Sequence, residues 1–247
     1  MKQGDLVYID YVAKVKDTGE VLEVTREEDA KSLSVHDAST KYRPRLVSVG
    51  DGWVMKGLDE SLLKAGVGEK LTVEITPEKG FGERDPAKVR LIPLRKFGDD
   101  ASKLRVGEQV EVDNRVGIVR FIGSGRVQMD FNHRLAGKSL TYDLHLLKTV
   151  TEPADMIRAL VLRRVPTDEE KVKVDVKGGV ASVELPQEVF FADGLQYTKR
   201  AVSDEIFKHA KGVGKVTFIE SFESPEAKAE EAEAPKPKRR PSKKKKA

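Results

Sequence analysis

The chain has 247 residues and a net charge of +4, enough to bury a sizeable core in more than one domain. It contains no cysteine, which excludes disulfides and thiolate chemistry. No apolar run approaches the ~18–20 residues of a membrane-spanning helix. The opening Met1-Lys2-Gln3-Gly4-Asp5 leads straight into a strand pattern and lacks a signal-peptide core. A soluble, cytoplasmic protein without membrane partners is the expectation. The charge is unevenly placed. From Ser224 onward nine Lys or Arg face four Glu, a net +5, so the first 223 residues come to −1.

Leu6 to Val15 alternates, with Val7, Ile9, Tyr11, Ala13 and Val15 on one face. Asp17-Thr18-Gly19 is a turn signal leading to a second strand at Val21–Val24. The polar stretch Arg26 to Arg43 reads as a surface segment, and Leu46 to Val49 as a short strand. Gly50 and Gly52 then release the chain into a turn. Val54, Leu58 and Leu62 fall four apart, an apolar stripe on a short helix read over Asp59–Lys64. Leu62 belongs to the core on this pattern, and Trp53 to the packing at the helix edge. Leu71, Val73 and Ile75 alternate with polar residues as a half-buried strand.

From Arg84 to Phe131 short apolar runs are broken by Gly98, Gly107, Gly117, Gly123 and Gly125. No long helical period appears, so a small all-β unit is expected. Leu140, Tyr142, Leu144 and Leu146 then alternate in the style of the first strands, so residues 84–131 read as an insertion into a domain made of 1–83 and 132–150. A third unit spans 153–223. It has a helix over Met156–Val165, strands at Lys171–Val176, Val180–Leu185 and Lys215–Ile219, and a long helix over Gln187–Lys211 with Phe191, Leu195, Val202 and Ile206 on one side. Residues 224–247 have an Ala/Glu/Pro/Lys composition without aromatics that cannot bury enough surface to fold. The fold class is α+β, with two small extra domains and a disordered basic tail.

Three motifs carry a resemblance: Gly50-Asp51-Gly52-Trp53-Val54-Met55-Lys56-Gly57-Leu58, Thr76-Pro77-Glu78-Lys79-Gly80-Phe81-Gly82, and the run from Asp130 to Tyr142 that contains Asn132-His133-Arg134-Leu135-Ala136-Gly137. In this order, with a β-rich insert between the second and third, the chain resembles the FKBP-type peptidyl-prolyl cis-trans isomerases. Within that family it is most similar to the SlyD-like group with an insert in the flap, in its long archaeal form with an extra C-terminal domain. The resemblance implies an antiparallel half-barrel sheet wrapped on a short helix. It also implies a prolyl pocket lined by Tyr11, Leu22, Glu23, Val54, Met55, Leu58, Phe81, Leu135 and Tyr142. Glu23 stands where the family commonly has Asp, Leu58 where many members have Trp, and Phe81 where many have Tyr.

The implied function is isomerisation of X–Pro bonds in unfolded or nascent polypeptides, with macrolides as inhibitors and no cofactor. The insert implies a second task, holding extended chain by strand addition. Leu91, Ile92, Val119, Phe121 and Met129 are the candidate client contacts. His36, His133, His145 and His209 are scattered without metal-ligand spacing, so no metal site is expected. His133 suits a role in orienting the returning flap. Two alternatives remain at the level of sequence. One is a holdase whose prolyl pocket is vestigial; the other is a ribosome- or RNA-associated adaptor that uses the polycationic tail through counterion release.

Overall fold

The computed structural model describes residues 1–222 and has an α+β fold. The Lys-rich tail, 224–247, lies outside the described residues. Among those described, no helix is long and apolar enough to cross a membrane. The described residues divide into two compact units, 1–151 and 152–222.

The first unit is built on strand β1 (Leu6–Val15). One edge of β1 is shared by two short strands: β2 (Val21–Val24) pairs with Val12–Lys14, and β3 (Arg45–Ser48) with Leu6–Ile9. Tyr11 falls in the gap between these two partners. Its backbone groups are satisfied there by Thr25, whose Oγ1 accepts from Tyr11 N at 2.9 Å and whose N–H donates to Tyr11 O at 3.1 Å. The other edge of β1 pairs antiparallel with β9 (Leu140–Val150), which in turn carries β4 (Lys70–Ile75). Between β2 and β3 the expected surface segment contains a short helix, α1 (Glu27–Ser32), with Ala30 fully buried. It borders a small hollow together with Asp10 and Val12 on the face of β1 opposite Tyr11. That cover explains why Asp10 and Val12 are buried although strict alternation would leave them in water.

Helix α2 (Lys56–Leu62) starts one turn earlier than its apolar stripe suggested, because Met55 serves as its cap. It lies across the inner face of the sheet. Leu58 and Leu62 are buried there with Val7, Ile9, Ile75 and Leu144. The approach is close at Gly57, where a Cβ would stand 2.9 Å from Ile75 Cγ2.

The insert forms a separate four-stranded antiparallel sheet of order β5-β8-β7-β6. Its strands are β5 (Val89–Pro93), β6 (Gln109–Val112), β7 (Arg115–Gly123) and β8 (Arg126–Asp130). It has its own core of Ile92, Phe97, Val112, Val119, Val127 and Met129. Phe97 comes from a 3₁₀ stretch over Leu94–Ser102 that the expectation of an all-β unit did not include.

The second unit opens with α3 (Pro153–Arg164), followed by the antiparallel pair β10 (Lys173–Lys177) and β11 (Val180–Glu184). Helix α4 (Leu195–His209) then crosses to β12 (Lys215–Ile219), parallel to β11. The long helix expected over Gln187–Lys211 is thus broken. A 3₁₀ turn occupies Gln187–Val189 and Gly194, at φ +72°, starts α4. Phe191 falls before the helix and is 86 % exposed, so it is not part of the buried α4 stripe.

The Gly57 contact yields a stability prediction. Gly57→Ala should lower unfolding free energy by about 1–3 kcal/mol through overpacking against Ile75, despite alanine's better helix propensity. A denaturant titration at unchanged m-value measures this; a stabilised variant would show that the helix can lift off the sheet at no cost.

Candidate active site

The turn before α2 is held by one carboxylate. Gly50 and Gly52 take φ +78° and +68°, a region that favours glycine. Their N–H groups donate to Asp59 Oδ1 and Oδ2 at 2.7 and 3.1 Å. Asp59 is buried on the first turn of α2, so the helix fixes its own entry loop. Met55 is extended, and its carbonyl accepts from the N–H groups of Leu58 and Asp59. This places Val54 and Met55 at the helix entrance beside Leu58.

Around that entrance the structure gathers eight of the nine expected pocket residues into one apolar cluster. Tyr11, Leu58, Leu135 and Tyr142 are buried, and Leu22, Val54, Met55 and Phe81 are partly buried against them. The Tyr11 and Tyr142 rings lie 5.4 Å apart, tilted by 49°. Tyr142 Oη points to Met55 Sδ at 4.0 Å. Phe81 stacks on His133 with centroids 4.4 Å apart and planes 11° from parallel. His133 Nδ1 also accepts from Leu135 N at 3.2 Å. The histidine therefore touches two members of the cluster, partly buried Phe81 and buried Leu135.

The ninth residue, Glu23, is exposed and belongs to a polar edge. Arg45 Nη1 donates to Tyr11 Oη at 2.8 Å and reaches the Glu23 carboxylate at 3.2 Å. Arg45 was not recognised in the sequence, where the third strand was read to begin at Leu46. Its position opposite Ile9, just before the gap at Tyr11, is a property of register. Burial, and then the Glu23 charge, push the Tyr11 hydroxyl well above the ordinary tyrosine range. The same two causes raise Tyr142. Burial works against the Arg45 charge, but Tyr11 and Glu23 more than offset it and its pKa is raised.

The candidate client contacts divide. Leu91 and Phe121 are exposed, both opposite Gln128 and hence on one face of the insert sheet. Ile92, Val119 and Met129 were expected to meet clients, but they are buried in the insert's core. Alternation would put Val119 and Phe121 on the same face. A β-bulge between them makes Arg120 the extra residue and turns Phe121 outward. Two further exposed apolar residues, Val106 and Val116, were not singled out from sequence.

Residues 1–96 match the FKBP-type peptidyl-prolyl cis-trans isomerase family model, residues 90–135 the model for the FKBP26 IF domain, and residues 153–223 that for the FKBP26 C-terminal region. The short-type peptidyl-prolyl cis-trans isomerase of Methanocaldococcus jannaschii is 33% identical over 144 residues, 58% of this chain and 90% of the relative. The chain belongs to the FKBP-type peptidyl-prolyl cis-trans isomerase family. A probable FKBP-type 16 kDa isomerase of Pseudomonas fluorescens is 33% identical over 114 residues, 45% of this chain and 76% of that protein. The SlyD isomerase of Helicobacter pylori is 28% identical over 119 residues, 47% and 64% respectively. The order of the three matched regions is that of the SlyD-like long form. The chain is therefore a peptidyl-prolyl isomerase, acting on polypeptides at proline.

The raised tyrosines of this FKBP-type isomerase set its alkaline behaviour. A phenol whose folded pKa exceeds its unfolded value contributes stability in full below about pH 10 and loses it as pH rises toward the folded value. Turnover of a prolyl tetrapeptide should accordingly stay flat from about pH 7.5 to 9.5. In an ultraviolet titration, two of the five tyrosines should ionise late. Loss of both late-titrating groups in a Tyr11→Phe/Tyr142→Phe variant would assign them; five tyrosines titrating together would contradict the buried hydroxyls.

Proposed function

We propose that the prolyl ring enters the hollow between α2 and the sheet and that this one pocket performs the isomerisation. The observation that carries the reading is the continuity of Tyr11, Leu58, Leu135 and Tyr142, all buried, with the partly exposed rim of Leu22, Val54, Met55 and Phe81. Rotation about an X–Pro bond meets a barrier of about 18–20 kcal/mol from amide resonance. No bond to a heavy atom breaks, so the chemistry requires no nucleophile.

The planar amide carries partial negative charge on its carbonyl oxygen, and twisting removes much of it. An apolar cavity therefore penalises the planar, charge-separated form more than the twisted one. Walls that fit the twisted prolyl better than either planar isomer add to this difference. Leu58 supplies the base of the hollow, and the two tyrosine rings supply one wall. Arg45 and Glu23 mark its wet edge, where the peptide flanking proline meets polar groups.

The insert is the client-holding module in this reading. Leu91 and Phe121 on a single face, with Val106 and Val116 also exposed, offer apolar contacts to an extended segment. The edge strands β5 and β6 offer backbone groups for strand addition. Unfolded polypeptides held there present their prolines repeatedly to the pocket. Macrolides that imitate the prolyl ring are the expected inhibitors.

Two variants separate the tasks. Leu58→Ala should reduce kcat/KM on a prolyl tetrapeptide by about tenfold, with a stability loss of about 2–5 kcal/mol to be checked by melting; unchanged turnover would remove Leu58 from the pocket. Leu91→Asp combined with Phe121→Asp alters only exposed side chains. It should spare tetrapeptide turnover while slowing proline-limited refolding of a protein client. Equal rates on the client before and after would refute the holding role.

A further inference from the structure

The chain enters the insert after Gly82 and returns at Asn132, so two irregular segments form a neck between the isomerase sheet and the insert sheet. Asp130, the last residue of β8, is almost fully buried there. Its Oδ2 accepts from Arg84 Nη2 at 2.6 Å and from Arg120 Nη2 and Nε at 3.0 and 3.2 Å. Its Oδ1 accepts from Asn132 N and Nδ2 at 3.1 and 2.8 Å. Asn132 in turn grips the outgoing segment: its Oδ1 accepts from Asp85 N and its Nδ2 donates to Asp85 O, both at 2.9 Å. Gly137 N donates to Gly82 O at 2.8 Å and Phe131 N to Lys88 O at 3.0 Å.

These contacts draw on three separate parts of the chain. Arg84 comes from the outgoing segment, Asn132 from the returning one, and Arg120 from the bulge in β7 within the insert. The next residue after Asn132 is His133, which stacks on Phe81 and accepts from Leu135 N at the pocket rim. One carboxylate thus joins the insert sheet, both neck segments and, through Asn132 and His133, the cluster proposed as the prolyl pocket. Its burial alone would raise its pKa; the Asn132 donors, then Arg120 and Arg84, hold it below the usual carboxylate range.

We propose that Asp130 is a positioning residue that locks the insert in a set orientation to the prolyl pocket, so that a client held on the insert is delivered to the pocket at high effective concentration. The proposal rests on the client-holding reading of the insert for its functional consequence, but not for the lock itself. A tethered segment reaches a second site efficiently only when the linker geometry matches the span. A neck free to swing would spread the same client over many directions. Charge suits the task because hydrogen bonds to an ionised group are short and directional, whereas apolar contacts between two sheets would tolerate sliding.

Asp130→Asn is nearly isosteric, yet its amide nitrogen, itself a donor, would face arginine or asparagine donors that it cannot accept from. The two arginine side chains are 49 % and 42 % exposed and can return to water. The insert's separate core keeps its own sheet folded. The chain has no cysteine, so spin labels on Lys70→Cys in β4 and Glu111→Cys in β6 report the distance between the two sheets in the full chain. The labelled parent should give one narrow distance distribution, and Asp130→Asn a broadened one. Proline-limited refolding should slow by about tenfold while tetrapeptide kcat/KM stays within about twofold.

An unbroadened distribution, or parallel losses on both substrates, would overturn the proposal. If Asp130→Asn fails to fold, Arg84→Met with Arg120→Met, which removes only half-exposed side chains, takes the same measurement. The Leu91→Asp/Phe121→Asp protein runs alongside. If it refolds clients at the parental rate, the client-holding reading fails, and the distance distribution still decides the lock.

Discussion

The close seat of α2 on the sheet is the constraint on which the isomerase half depends. Gly57 lets the helix come down onto Ile75, and Leu58, the next residue, is buried in the same apolar cluster as Tyr11 and Tyr142. Asp59, one residue later, spends both carboxylate oxygens on the entry loop. Depth and entry angle are therefore set by neighbouring residues on one short helix. Seven residues are too few to form a stable helix alone; the burial of Leu58 and Leu62 and the Asp59 cap to the loop supply what propensity does not.

The proposed prolyl pocket would be apolar within and polar on one side only. The split edge of β1 explains this asymmetry. Where β2 ends and β3 has yet to begin, Thr25 takes over the backbone hydrogen bonds of Tyr11, and the side chain of Tyr11 is left facing the pocket with Arg45 at its hydroxyl. A continuous edge strand would cover that position. Arg45, shared between a phenol and Glu23, is partly screened by solvent, so its contribution is mainly orientation of the Tyr11 ring. Phe81, which lacks the hydroxyl many relatives have there, is held flat against His133.

Much of this architecture was legible in the sequence because alternation and four-residue spacing report directly on burial. The strands β1 and β9, the stripe of Leu58 and Leu62, and β12 follow those periods. The failures have a common cause: each is a place where the period breaks. Gly194 stops what looked like one helix over Gln187–Lys211 and leaves Phe191 in solvent. The cover over Asp10 and Val12 comes from α1, a helix too short and polar to announce itself. Arg45 acquires its role from register across β1, which no local pattern encodes. The resemblance brought together residues far apart in sequence, such as Leu135 and Tyr142, which the structure buries in one cluster and which periodicity alone would not link.

The bulge in β7 shows how one inserted residue can serve two ends at once. Without it, Val119 and Phe121 would share a face, and either the core of the insert or its exposed apolar surface would lose a member. With it, Val119 stays buried against Met129 while Phe121 lies over Gly123, where any Cβ would collide with its ring. The extra residue is Arg120, and the twist that turns Phe121 outward also carries the Arg120 guanidinium to Asp130. The outward face and the neck are thus coupled by backbone geometry. A change that repaired the bulge would disturb both the exposed apolar face and the Arg120–Asp130 contact, which is a physical reason for the irregularity to sit at that point in the strand.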